Sequence, residues 1–467
     1  MPKSKNEFLY QKSLFVFRRD LRLVDNIGLL AALKLSRQVV CVFIFDSRQI
    51  SNHNQYLSLN ALQFMLASLK ELEGDIKKHS GCLYFFSGDP DLVVDKLISE
   101  LKIEAVFVNQ DYTPFSLQRD KHLKRVCDQA QVDFVTHQDY LLTNPAEIKT
   151  LNGKKYQVFT AFYKNAQKIP VALPVIKNNL RPSCFYNTSI ARSIKLAIFS
   201  QKILPDLNPK LATPAGRIAG LKILKSLNKF KNYIIAKDLP ALPTTHLSAH
   251  LKFGTISARE AFYAVLKQLG PDHPLLRQLY WRDFFTYVAY YNPAVFGKAF
   301  NPKFSKIKWQ HDAKKFKLWC AGQTGFPIVD AGMRQLNETG FMHNRVRMIT
   351  ASFLVKDLHL DWQAGEKYFA TKLVDYDPAV NNGNWQWVAG TGCDAQPYFR
   401  VFNPWLQQKK FDHDCEYIKT WVPELKNFTP KIIHNWFKVW DQHQDLYHEP
   451  ILNHAIAAKQ ALELYLT

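Results

Sequence analysis

Asn344, Arg347 and Met348 stand at spacings of three, four and one in the run MHNRVRM, which puts them together on one helix face. An arginine beside an amide can grip an anionic or polar group. Taken alone, the arginine reads as half of a structural salt bridge. Thr244–Ser248 (TTHLS) opens the helical stretch AHLKFGTIS. Hydroxyls and N–H groups at such a start can receive a phosphate, or simply cap the helix. Ten tryptophans add oxidisable indoles, most of which would ordinarily fill cores or interfaces. One common chemistry is excluded near the N-terminus: FVFRRDLRLVDN contains no G-x-G-x-x-G, so the fingerprint of nicotinamide oxidoreductases is missing. Cys41, Cys82, Cys127, Cys184, Cys320, Cys393 and Cys415 form neither a C-x-x-C pair nor a metal-spaced cluster. They read as free thiols in a reducing compartment, with no metal site.

Such residues need elements to position them, and 467 residues exceed one ordinary core, so two domains are expected. Short β-rich runs at Ser13–Phe17, Val39–Phe45, Cys82–Phe86 and Ala105–Asn109 alternate with helical patterns at Asn26–Leu35, Leu57–Leu72 and Pro90–Leu101. The last has Asp89 as its expected N-cap and Pro90 at its first position. This alternation predicts a doubly wound parallel α/β sheet over residues 1–135, a fold that binds ligands beyond the carboxyl ends of its strands. From 136 to 199 the pattern loosens at Pro145, Pro170, Pro174 and Pro182 and at the basic stretch Lys177–Arg181. An interdomain connection with some local structure is predicted there. From 200 to 467 helical periodicity dominates, clearest at Gly216–Phe230 and at Pro327–Thr339, where Gly340 supplies a left-handed C-cap. This second domain should be all-α and hold most of the tryptophans.

Hydrophobic residues make up 47% and charged residues 22%, a globular composition without a disorder signature. Lys plus Arg outnumber Asp plus Glu by 61 to 40, a formal +21. That surplus suits a polyanionic partner, because cationic grooves attract DNA and release its counterions. Met1 to Tyr10 lacks the apolar core of a secretory signal, and no apolar run is long enough to span a bilayer. The expectation is a soluble cytoplasmic monomer that associates with DNA and not with membranes.

Three longer stretches carry a family resemblance. Phe17–Asn26 reads FRRDLRLVDN, Gly325–Asp361 reads GFPIVDAGMRQLNETGFMHNRVRMITASFLVKDLHLD, and Asp375–Arg400 reads DYDPAVNNGNWQWVAGTGCDAQPYFR, followed by VFNP at Val401–Pro404. Long ordered matches are far more specific than a short motif. From near the N-terminus to about Leu425 the chain resembles the photolyase/cryptochrome family, most of all its class I cyclobutane pyrimidine dimer photolyases. The resemblance implies an α/β antenna domain, a helical domain holding FAD in a folded, U-shaped form, and a basic groove with a hole leading to the flavin. The implied activity is light-driven repair of cyclobutane pyrimidine dimers in damaged DNA, by electron transfer from excited reduced FAD. The alternative within the family is a cryptochrome, a blue-light photoreceptor without repair activity.

Site residues follow from the same resemblance. Thr244, Thr245, His246, Leu247 and Ser248 match the turn that holds the FAD pyrophosphate, with His246 where Arg or Lys is common, and Tyr233 matches a tyrosine contacting the same phosphates. Arg347 matches an arginine paired with an aspartate, here Asp375, beside the isoalloxazine; Tyr376 and Asp377 follow in the same segment, Asp377 as a second carboxylate near the ring. Asn381 matches the position facing flavin N5, where photolyases carry Asn and plant cryptochromes Asp. Trp309, Trp362 and Trp385 match a tryptophan row from surface to flavin that can pass electrons to photoexcited FAD. Trp281 and Trp387 match the pair that packs against a flipped dimer, in keeping with base flipping, in which an extruded base stacks on aromatic side chains.

Met348 and Asn344 stand where (6-4) photolyases carry histidines, which argues against (6-4) repair. Gln278 stands where cyclobutane photolyases usually carry the Glu that hydrogen-bonds the dimer; an amide keeps the N–H but loses the carboxyl proton. Arg282, Arg345 and Arg400 are candidates for flavin or DNA-phosphate contacts, the last two at the groove rim. A second chromophore, methenyltetrahydrofolate or an 8-hydroxydeazaflavin, is implied for the α/β domain near Asn109, Asp111 and Tyr112; Thr113 stands where folate binders tend to have Glu.

Overall fold

The computed structural model describes residues 8–150, 152–175 and 184–466, so Lys177–Arg181 and Pro182 lie outside it. Where β-branched and aromatic residues crowd, strands form: β1 (Tyr10–Phe17), β2 (Ser36–Phe45), β3 (Leu83–Ser87), β4 (Ala105–Asn109) and β5 (Asp133–His137). They pair in parallel in the order β3-β2-β1-β4-β5, the doubly wound arrangement that the strand–helix alternation predicts. The two-residue period sends Phe15, Phe17, Cys41 and Phe43 to one face and Leu14, Val16, Val40 and Val42 to the other. Helices Pro90–Leu101 and Pro114–Gln129 cover the second face with Val94, Leu97, Leu123 and Cys127. The first face packs under helix Leu59–Lys78 and also under Ala249, Phe253 and Val374, so the sheet is a floor for the helical half.

Two local readings change. β5 was not expected, because DFVTH has only two adjacent apolar residues among polar ones and only half buries at the sheet edge, leaving a weak apolar signal. Asp89 sits at the N-cap position but makes no capping bond; its carboxylate accepts from Ser47 Oγ at 3.4 Å instead. Between 136 and 199 the chain forms helix Phe159–Ala166, whose Phe159, Phe162 and Ala166 are buried in one core with Tyr280, Phe284 and Phe285.

In the helical half, the expected Gly216–Phe230 helix divides into Arg217–Lys225 and a 3-10 turn Leu227–Phe230, while Pro327–Thr339 forms as read and Gly340 caps it at φ 68°. Two close approaches assemble the helices around the site. Gly365, on helix Trp362–Lys372, lies against the Trp385 ring, and Gly383, on helix Pro378–Ala389, lies against Phe285 of helix Pro274–Tyr291. A Cβ at either position would overlap the facing ring, so only glycine permits these separations. Among the described residues, no helix is long and apolar enough to cross a membrane.

Candidate active site

A cavity of about 960 Å³ opens within the helical half. It lies near the upper end of the usual range for small-molecule sites, large enough for a dinucleotide-sized ligand. Its walls come from the 244–248 turn and from helices Pro274–Tyr291, Asn344–Ser352 and Pro378–Ala389.

Tyr233, Thr244, Thr245, His246, Leu247 and Ser248 line one end. His246 adopts φ 53°, a left-handed conformation uncommon outside glycine, and its ring stacks on Phe341 at 4.2 Å. Burial lowers the His246 pKa, with Asp375 opposing, which favours the neutral imidazole, and the turn offers hydroxyls and N–H groups.

Next along the wall, Arg347 Nη2 donates to Asp375 Oδ2 at 3.0 Å and to Oδ1 at 3.3 Å, while Arg347 Nε donates to the Met342 carbonyl at 2.8 Å. Ser248 Oγ donates to Asp375 Oδ2 at 2.6 Å, joining the turn to the ion pair. Tyr376 also lines the cavity and lies 6.4 Å from Tyr56 of the α/β domain, ring to ring. Asp377 caps helix Pro378–Ala389: its Oδ1 accepts from Ala379 N at 3.1 Å and Val380 N at 3.2 Å. Burial alone would raise the Asp377 carboxyl, but Arg19 and then Lys252 beside it hold it well below the usual carboxylate range. One turn further, Asn381 Nδ2 donates to the Glu366 carbonyl oxygen at 3.0 Å, and Asn382 Nδ2 donates to Glu366 Oε1 at 3.0 Å. Burial pushes the Glu366 carboxyl up to about 7, with the Asn382 bond opposing.

Gln278, Trp281, Arg282, Met348, Asn344 and Trp387 line the same cavity. Met348 and Trp387 are half-buried, and Gln278 and Asn344 are exposed, so this end faces solvent. Arg345 lines the rim but is paired with Asp238 at 2.5 Å and packs on Phe411. Three of the sequence-derived residues lie off the cavity. Arg400 is exposed, with Nη1 3.4 Å from Gln396 Oε1. Trp362 is 2% exposed and Trp309 half-buried, whereas Trp385 reaches the cavity wall at 3% exposure. Trp385 packs on Phe369 at 4.9 Å and Trp319 at 6.3 Å, and Trp309 packs on Tyr465 at 5.9 Å.

Sequence reasoning missed several residues here. Phe159 stacks on Trp281 at 3.7 Å with ring planes 7° apart, although it belongs to the segment read as a connection. Tyr140 and Lys252 line the cavity, and Arg19, in the RRD of β1's exit, reaches Asp377. The doubled arginine of FRRDLR was the one available signal; nothing local singled out Phe159 or Tyr140.

The donor set suits FAD: hydroxyls and N–H groups at one end for phosphates, an arginine–carboxylate pair and a fixed amide for a polar heteroaromatic ring, and aromatic walls between. The comparisons agree. Residues 13–177 match the DNA photolyase family, and residues 275–467 match the family described as the FAD binding domain of DNA photolyase. A deoxyribodipyrimidine photo-lyase of Alkalihalophilus pseudofirmus is 34% identical over 476 residues, spanning 96% of each chain. The solved structure of an archaeal photolyase from Sulfolobus tokodaii, described with two FAD molecules, superposes with a TM-score of 0.88 at 43% identity, covering 98% of this chain and 100% of that one. A Synechocystis cryptochrome structure superposes at 0.85 with 27% identity, covering 98% of this chain and 100% of that one.

Proposed function

This chain belongs to the photolyase/cryptochrome family, and we propose that it is a DNA photolyase that uses FAD to split cyclobutane pyrimidine dimers under light. The observation that carries this reading is one cavity lined both by Arg347 with the buried Asp375 and Asn381 and by the half-buried Trp281, Trp387 and Met348. Bound there, FAD supplies the light absorption and the electron. The protein's own groups do the rest. Ser248 and Arg347 hold Asp375 in one orientation, so the pair can accompany a ligand whose charge becomes more negative. Because Asn381 Nδ2 is taken by the Glu366 carbonyl, its Oδ1 points to the other side of the amide, where it can accept an N–H from the flavin. Trp281 and Trp387 offer indole faces for a dimer extruded from the duplex, and Gln278 at the open end can donate its amide N–H to a pyrimidine carbonyl. Trp385 and Trp362, both buried, and the half-buried Trp309 are the route by which we propose electrons reach the flavin from the surface. In the α/β domain a second chromophore remains part of the proposal, and the two FAD molecules of the archaeal relative add a flavin to the folate and deazaflavin candidates.

The test is repair of an oligonucleotide carrying one cyclobutane thymine dimer, in blue light and in the dark, beside a (6-4) lesion. Loss of the cyclobutane dimer in light alone is expected. A photoreducible, FAD-loaded protein that repairs nothing until Gln278→Glu is introduced would instead identify a photoreceptor.

A further inference from the structure

Arg19 belongs to the α/β domain, immediately after β1, yet its guanidinium crosses the domain boundary to Asp377 in the wall of the flavin cavity. On its other side it reaches Asp111, just after β4, at 3.3 Å. Tyr140, which follows β5, donates its hydroxyl to the same Asp377 oxygen at 2.5 Å. The Tyr140 ring has the Arg19 guanidinium 3.8 Å from its centroid and that of Arg282 at 3.6 Å. Two cations at that range cannot share one face, so the ring is sandwiched between them. Arg282 Nη1 also donates to the Tyr140 carbonyl at 2.9 Å, and Lys252 adds a further cation beside the group. The Arg19 and Asp377 side chains are 12% and 7% exposed, so solvent screens this pair little.

We propose that Arg19 is a positioning residue of the flavin site: with Tyr140 it clamps Asp377, and through that carboxylate it sets both the seat of helix Pro378–Ala389 and the charge of the cavity wall. The helix carries Asn381, Trp385 and Trp387, so its N-cap is the point at which the α/β domain can act on flavin-facing groups. Without the Arg19 charge, Asp377 leaves negative charge in a low-dielectric wall, and a more negative ligand is disfavoured there. The reduction potential of bound FAD therefore depends on a residue of the other domain. This inference rests on the cavity holding FAD but not on repair, so a protein that binds FAD and repairs nothing leaves it standing.

The test is spectroelectrochemical titration of the FAD-loaded protein and of Arg19→Gln, Arg19→Lys and Tyr140→Phe. Arg19→Gln is expected to weaken reduced relative to oxidised FAD by about tenfold, a fall of about 59 mV for a one-electron couple. Arg19→Lys, which keeps the charge, should recover most of that shift, and Tyr140→Phe, which keeps the sandwiched ring but loses the hydroxyl, should fall between. A wild-type potential in folded Arg19→Gln overturns the proposal, as does Arg19→Lys behaving like Arg19→Gln. Should Arg19→Gln fail to fold, Tyr140→Phe decides, and a wild-type potential there overturns it.

Discussion

Replacing Arg347 by Met keeps most of the side-chain volume while removing both bonds to Asp375 and the bond to the Met342 carbonyl. Asp375 is then left with Ser248 alone, its side chain only 4% exposed. Truncating one partner of a buried, hydrogen-bonded charge pair costs roughly 2–5 kcal/mol, much of it the penalty for the charge left behind. Arg347 is 24% exposed, so the lower part of that range applies, about 2–3 kcal/mol. Asp375 is already buried, so part of this is lost apoprotein stability, and the part carried by the Arg347 charge at the cavity wall appears as lost FAD affinity, at most roughly 150-fold. The assay is titration of apoprotein with FAD, followed by quenching of flavin fluorescence. A double-mutant cycle with Asp375→Asn isolates the pair. If the charge left behind is the cause, the double variant binds FAD more tightly than Arg347→Met alone. Wild-type affinity in Arg347→Met, or strictly additive losses, would refute the assignment of this ion pair to the flavin wall.

Phe159→Leu removes the ring stacked on Trp281 and should weaken binding of a dimer-containing oligonucleotide by about 2- to 10-fold, from the roughly 0.5–1.5 kcal/mol worth of an aromatic pair, with FAD content unchanged. Anisotropy at fixed salt reads it, and unaltered lesion affinity would mean that Phe159 only fills core. Glu366 has its carboxyl raised to about 7 from 4.5, so its stabilising contribution is complete below pH 4.5 and is lost as pH climbs through 7. Glu366→Gln does not titrate, so the stability of the wild type relative to this variant should fall between pH 5 and 8, by at most about 3 kcal/mol; parallel unfolding midpoints across that window would contradict the burial argument. Given the formal +21, affinity for DNA should fall linearly in log–log form with salt. A flat response between 50 and 200 mM, the interval over which about 10³-fold or more is lost when several phosphates are contacted, would remove the basic-groove argument.

Local pattern was enough to read the α/β sheet, the all-α remainder, the Pro327–Thr339 helix and its Gly340 cap, because strands and helices repeat over neighbours a few residues apart. The family resemblance likewise put Arg347, Asp375, Asn381, Trp281 and Trp387 forward as a set, and one cavity brings them together. β5 escaped because half-burial at an edge leaves little periodic signal. The rest was decided only in three dimensions. Tyr140 meets Asp377 across 237 residues and Arg19 meets it across 358, so neither contact leaves any trace in local spacing. Phe159 looked like part of a connection, yet the packing of helix Phe159–Ala166 against helix Pro274–Tyr291 makes it the backing of Trp281. Periodicity reports which face of an element is apolar; which distant face or charge it meets is settled by how domains pack, and here that packing brings Arg19 of the α/β domain against Asp377 in the cavity wall.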